Sequence, residues 1–140
     1  MILFCDTSAL VKLYVEEEGS DAVGRQAAAS DAVAVCRIAW VETLSAFARR
    51  AREQPGDASA IAQARQRFAA DWPQYLALDV TQALVELAGE FADAFALRAY
   101  DAVQLAAVQT VNTAVPGEVR LACFDSRLVT AARVLGIAQM

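Results

Sequence analysis

With 140 residues, 57% of them hydrophobic, the chain is long and apolar enough to bury a real core, and the excess suits a sheet covered on both faces. A formal net charge of -5 excludes a strong sequence-independent grip on nucleic acid, although a bound divalent cation offsets acid locally. No uncharged apolar run reaches the ~18 residues a membrane span needs, and the apolar N-terminal run stops at Asp6 with no basic segment before it, so a cytoplasmic protein off the membrane is expected.

Ile2–Cys5 reads as a first strand, followed by helices over Thr7–Val15 and Gly19–Ala29. Ala32–Cys36 is a second strand. Arg37–Arg52 is a helix with Trp40, Leu44, Phe47 and Ala51 on one face. After the turn Gln54-Pro55-Gly56-Asp57, a helix runs over Asp57–Asp71, with Asp57 suited to cap it. Tyr75–Leu78 is a third strand. Thr81–Phe95 and Arg98–Val111 are helices, the second ending before Pro116-Gly117. Leu121–Phe124 is a fourth strand and Ser126–Leu135 the last helix, which Gly136 suits as a C-terminal cap. Ile137–Met140 is short for a final edge strand. Strands alternating with helices predict a single domain over 1–140, a three-layer α/β/α sandwich with a mostly parallel sheet of four to five strands.

Four carboxylates occupy positions that acids ordinarily avoid. Asp6 directly follows the first apolar run, and Asp125 directly follows Leu121–Phe124. Ligands of open parallel sheets gather outside the carboxyl ends of the strands, so the two share a crevice if those strands are neighbours. Capping of the following helices explains each equally well, and a capping carboxylate still has lone pairs to offer. Asp101 lies within an apolar stripe of Leu97, Leu105 and Val108, and Arg98 is expected to point away from it. Glu42 shares a face with Ile38, Ser45, Ala46 and Arg49, a pattern that by itself reads as an ordinary solvated helix position.

Gathering such acids has a cost: at ~5 Å and an effective dielectric of about 20, two carboxylates repel by roughly 3 kcal/mol. The chain has no histidine, and its three cysteines share no ligand spacing and read as buried free thiols. An acid cluster here therefore calls for an oxygen-preferring cation, Mg²⁺ or Mn²⁺, and fits hydrolysis of a phosphodiester without a histidine base. Arg49, Arg50 and Arg52, with Arg65 and Arg67 beyond the turn, form either a solvated helix end or a phosphate-contacting rim.

The segments FCDTSALVKLYVEEEGS, RIAWVETLSAFARR, LRAYDAVQLAAV and LACFDSRLVTAARVLGI occur in an order that resembles the PIN domain, above all the VapC-type toxins of type II toxin–antitoxin systems. The resemblance spans essentially the whole chain. It implies a Mg²⁺- or Mn²⁺-dependent endoribonuclease acting on structured RNA such as tRNA or rRNA, with Asp6, Glu42, Asp101 and Asp125 as catalytic and metal-binding acids. It implies supporting roles for Thr7 and Ser8 beside the first acid, for Arg98 near the third, and for Ser126 beside the fourth. Arg49 and Arg50 would guide the RNA. It implies a homodimer restrained by a VapB-like antitoxin, with Leu10, Leu13, Tyr14 and Trp40 either part of the antitoxin-binding surface or simply core. The competing enzyme reading, phosphoryl transfer through an Asp6 nucleophile, lacks its second acid, because Ser8 stands two residues on. A PIN fold without catalysis, acting as a binding module, is the non-enzymatic alternative.

Overall fold

Short apolar runs separated by amphipathic helices leave parallel pairing as the only way to bury both faces of the strands. The computed structural model describes Met1–Met140 and contains strands β1 (Ile2–Cys5), β2 (Ala32–Cys36), β3 (Leu76–Leu78), β4 (Val119–Ala122) and β5 (Ala138–Gln139). They pair in the order β3-β2-β1-β4-β5, every pair parallel. The helices are α1 (Thr7–Lys12), α2 (Ser20–Ala29), α3 (Ala39–Glu53), α4 (Ala58–Asp71), α5 (Gln82–Phe95), α6 (Ala99–Ala114) and α7 (Ser126–Val134), with single 3-10 turns at Pro55–Asp57 and Trp72–Gln74.

The pleat sorts the core into two layers. Leu3, Cys5, Val35 and Ala122 face α1 to α4, meeting Leu10, Val23, Phe47 and Phe68. Phe4, Ala34, Cys36 and Leu121 face α5 to α7, meeting Leu84, Leu105, Val108 and Leu128. The three-layer expectation holds. On the first face, Phe47, Phe68, Tyr14, Trp40, Trp72 and Tyr75 form one aromatic cluster, with Trp40 stacked on Phe68 at 5.1 Å. Phe47 and Phe68 are wholly buried, and each such side chain stabilises the fold by about 1.5–3 kcal/mol.

Several expected boundaries move, each for a local reason. The fourth strand lies two residues earlier than expected, because its register is set by pairing Ile2 with Val119 and Cys5 with Ala122. Exposed Arg120 interrupts its apolar run and hides its start. Asp125 therefore stands beyond the strand by the turn Cys123-Phe124, not directly after it. Helix α1 ends at Lys12, not Val15, where tight bonds from Leu13 N to Leu10 O (3.1 Å) and Tyr14 N to Val11 O (3.0 Å) turn Tyr14 into the core. Asp57 makes no side-chain cap on α4, because its carboxylate accepts a hydrogen bond from Arg50 Nε at 3.2 Å.

Candidate active site

The chain leaves β1 for β2 and β3 on one side and later returns to β4 and β5 on the other. That reversal opens a crevice at the carboxyl ends of β1 and β4, where open α/β sheets bind ligands. Asp6 is the first residue beyond β1, and its backbone N–H still reaches Ala122 O across the crevice at 3.2 Å. Its carboxylate caps α1. Oδ1 accepts from Ala9 N at 3.0 Å and from Ser8 Oγ at 2.6 Å, while Oδ2 accepts from Cys123 Sγ at 3.0 Å. Asp6 is only 5% exposed. Burial pushes its pKa above the usual carboxylate range against the pull of these three donors, and the charge of Glu42 adds to the rise.

Glu42 lies in the first turn of α3, half-buried. Its Oε1 accepts from Thr7 Oγ1 and from Gln104 Nε2, both at 2.9 Å. Gln104 Nε2 also lies 3.2 Å from Thr7 Oγ1, and its own Oε1 is buried without a partner. Of the two hydroxyls expected beside the first acid, Ser8 bonds Asp6, whereas Thr7 bonds Glu42. Gln104 was not anticipated. Its signal was a lone amide three residues after Asp101, at the head of the apolar run Leu105–Val108.

Asp101 sits in the first turn of α6 and not in the middle of the apolar stripe. The expectation that Arg98 points away is incorrect: Arg98 stands three residues before Asp101, and its Nε lies 3.5 Å from Asp101 Oδ2. The Arg98 side chain is 82% exposed, so the pair is solvent-screened. Asp125 caps α7, its Oδ1 accepting from Arg127 N and Leu128 N, both at 3.0 Å. The Ser126 hydroxyl makes no bond to it. Cys123 links the two strand-end acids by accepting from Asp125 N at 3.3 Å while donating to Asp6. Burial first, then the neighbouring Asp6 charge, pushes the Cys123 thiol up.

The two arginines of the expected rim share one pocket beside Glu17 and Glu53 but differ in what else they reach. Exposed Arg49 lines a pocket with Glu42 and Thr7, whereas Arg50 is tied to Asp57 and lines a separate pocket beside Tyr14 and Ile61. Leu10 and Tyr14 are buried in the core, Tyr14 showing only an edge to the pocket beside Arg50, and Leu13 is half-buried. Trp40 retains a third of its surface but is packed on Phe68 and Trp72.

Asp6, Glu42 and Asp125 have no lysine or arginine in ion-pair range. A desolvated carboxylate raised further by a second acid is a place where a cation lowers the energy. The donor set there is oxygen, with one protonated thiol, and matches a hard cation. As the side chains stand, no three acids or thiols converge closely enough to hold an ion together.

The PIN domain family model matches residues 3–134. The chain is 34% identical over 135 residues to Ribonuclease VapC45 of Mycobacterium tuberculosis CDC 1551 and, equally, to Ribonuclease VapC49 of strain H37Rv, covering 96% of this chain and 92% of each relative. Among solved structures, VapBC2 from Rickettsia felis bound to a DNA fragment from its promoter aligns with a TM-score of 0.68 at 11% identity, covering 100% of this chain and 98% of that one. FitAcB from Neisseria gonorrhoeae aligns with a TM-score of 0.68 at 15% identity, covering 100% and 96%. At such identities these structures speak for the fold alone. Family model, identity and fold agree that this chain belongs to the PIN-domain family.

Proposed function

We propose that the protein is a Mg²⁺- or Mn²⁺-dependent endoribonuclease toxin, restrained by a VapB-like antitoxin. The observation that carries this reading is the buried Asp6 at the sheet's switch point with Glu42 near enough to raise its pKa, the two unmatched by any cationic side chain. The ribonuclease names of the 34% identical relatives support the reaction, and the toxin–antitoxin complexes among the fold neighbours support the partner. Structured cellular RNA such as tRNA or rRNA is the proposed substrate, and a homodimer the proposed assembly.

Asp6, Glu42, Asp101 and Asp125 would hold the ion or ions. Bound there, a divalent cation supplies positive charge for the phosphate and lowers the pKa of water. The chain's own residues prepare that place. Ser8, Ala9 and Cys123 orient the Asp6 carboxylate, and Thr7 with Gln104 fixes Glu42 Oε1, leaving its other oxygen free. Arg49, exposed and in no ion pair, is placed to take a phosphate along the same pocket. In-line attack of water would leave a 3′-hydroxyl and a 5′-phosphate.

Expression of the chain followed by sequencing of newly formed 5′ ends in cellular RNA tests this, with Asp6→Asn as the control. Defined ends that vanish in the control support the assignment. Identical cutting by both chains overturns the site. The separation of the acids as placed favours the alternative of a binding module without catalysis. Calorimetric titration with Mg²⁺ and Mn²⁺ separates the two, because a module that has lost catalysis through loss of its ion takes up neither.

A further inference from the structure

The pocket over Glu42 has walls that the acid chemistry does not use. Its volume is 380 Å³, within the ~300–1,000 Å³ typical of ligand sites. Thr7, Glu42 and Ser45 are its polar lining, Arg49 stands in one wall, and Tyr100 and Val41 supply apolar surface. Tyr100 is 62% exposed and Val41 58%. The Tyr100 ring packs against no other aromatic ring, and its hydroxyl makes no hydrogen bond to the protein. Its backbone lies in the first turn of the sixteen-residue helix α6, directly before Asp101. A free aromatic face beside an unpaired arginine, opening onto an acid site, is the combination that grips a nucleobase and its phosphate together.

Resting on the ribonuclease reading, we infer that this pocket receives one unstacked nucleobase on Tyr100, with Val41 as its apolar floor and Arg49 on an adjoining phosphate. A base inside a duplex has both faces covered by its neighbours and cannot offer one to Tyr100, whereas a loop or single strand can splay a base outward. The net charge of -5 sharpens the point. A chain this acidic cannot rely on general backbone attraction, so aromatic stacking with one arginine supplies local affinity that salt screens less. A protein segment could also cover Val41 and Tyr100. Arg49 and the position of the pocket directly over Glu42 and Thr7 favour the RNA strand.

The test uses the full chain with Asp6→Asn to prevent cutting. Fluorescence anisotropy measures binding of a labelled unstructured RNA and of a blunt duplex, for that chain and with Tyr100→Ala or Tyr100→Phe added. Tyr100→Ala is expected to weaken single-strand binding roughly tenfold and leave duplex binding unchanged, while Tyr100→Phe holds within about twofold. Thermal unfolding, unchanged for an exposed side chain, verifies folding. Equal single-strand binding by all three chains overturns the inference while the ribonuclease reading stands, as does a Tyr100→Ala loss equal on both RNAs. A loss confined to binding of an antitoxin peptide, with RNA affinity unchanged, overturns it in favour of a protein contact. A parent chain that neither cuts nor binds either RNA overturns the ribonuclease reading and this inference with it.

Discussion

Gln104 on α6 donates to Glu42 on α3, with Nε2 2.9 Å from Oε1, across a sequence separation of 62 residues. The amide is almost fully buried and reaches Thr7 as well, so one side chain braces three elements around the acid site. Replacement by alanine leaves Glu42 with Thr7 as its one donor. Gln104→Ala is expected to cost about 1.5–3 kcal/mol, the range for a hydrogen bond to a charged group. Urea unfolding measures that loss. RNA cleavage should fall more than tenfold while the chain remains folded, and unchanged cleavage would show that Glu42 needs no brace.

The buried Asp6 makes stability depend on pH in a definite direction. Its folded pKa is raised by burial, so the folded chain binds more protons than the unfolded chain over the window above the ordinary aspartate range. In metal-free protein the Asp6 contribution to stability is therefore lost as pH rises from the ordinary aspartate range through the folded pKa. Asp6→Asn should remove this slope and equal or exceed the parent in stability at neutral pH. Scanning calorimetry in chelator, at several pH values, checks it. Added Mg²⁺ should raise the parent's Tm at neutral pH and leave Asp6→Asn unmoved, because ligand binding to the folded state alone adds RT ln(1 + [L]/Kd).

Arg49 and Arg50 are neighbours in sequence with different employment. Arg49→Ala should weaken RNA binding and lower the salt slope of a single strand by roughly 0.7, as loss of one phosphate contact requires. Arg50→Ala should leave that slope intact. It breaks a half-exposed pair with Asp57 and should cost no more than about 1 kcal/mol. Binding titrations at several salt concentrations distinguish the two, and equal slopes for both variants would contradict the division.

Gly19 has φ +92°, and a Cβ there would lie 2.8 Å from Phe124 Cε1. Phe124 in turn lies under Lys12, whose Nζ is 4.5 Å from the ring centroid. Gly19→Ala should destabilise by about 1–2 kcal/mol through the left-handed backbone, with the ring displaced as a further consequence. Because Phe124 N also bonds Ser8 Oγ at 2.9 Å, the displacement should reach the Asp6 surroundings and slow cleavage. Removing the ring in Phe124→Ala should reduce the additional cost of Gly19→Ala, and a double-mutant cycle in urea measures the coupling.

Much of this was legible in the chain because local physics carries it. The run Ile2–Cys5 followed at once by Asp6 marks a buried strand and its helix cap in one stroke, and both stand in the structure. The stripe Leu84, Leu87, Ala88 and Phe91 likewise fixes the buried face of α5. Arg120 defeated the same reasoning, since an exposed charge in a four-residue strand erases the apolar signal that announces it. Asp57 defeated it differently: its composition suited a cap, and Arg50 took the carboxylate first.

By itself the sequence determined the layer architecture, the absence of histidine chemistry, and the order in which four acids meet their helices. These follow from periodicity, composition and capping, which act within a turn or two of chain. Only the tertiary structure decided that Asp6 faces Cys123 and Glu42 faces Gln104. The same is true of Arg49 and Arg50, and of the bare face that Tyr100 leaves beside Glu42. Those pairings join residues as far as 117 positions apart, and only the strand order that sets β4 beside β1 brings such distant side chains into hydrogen-bond range.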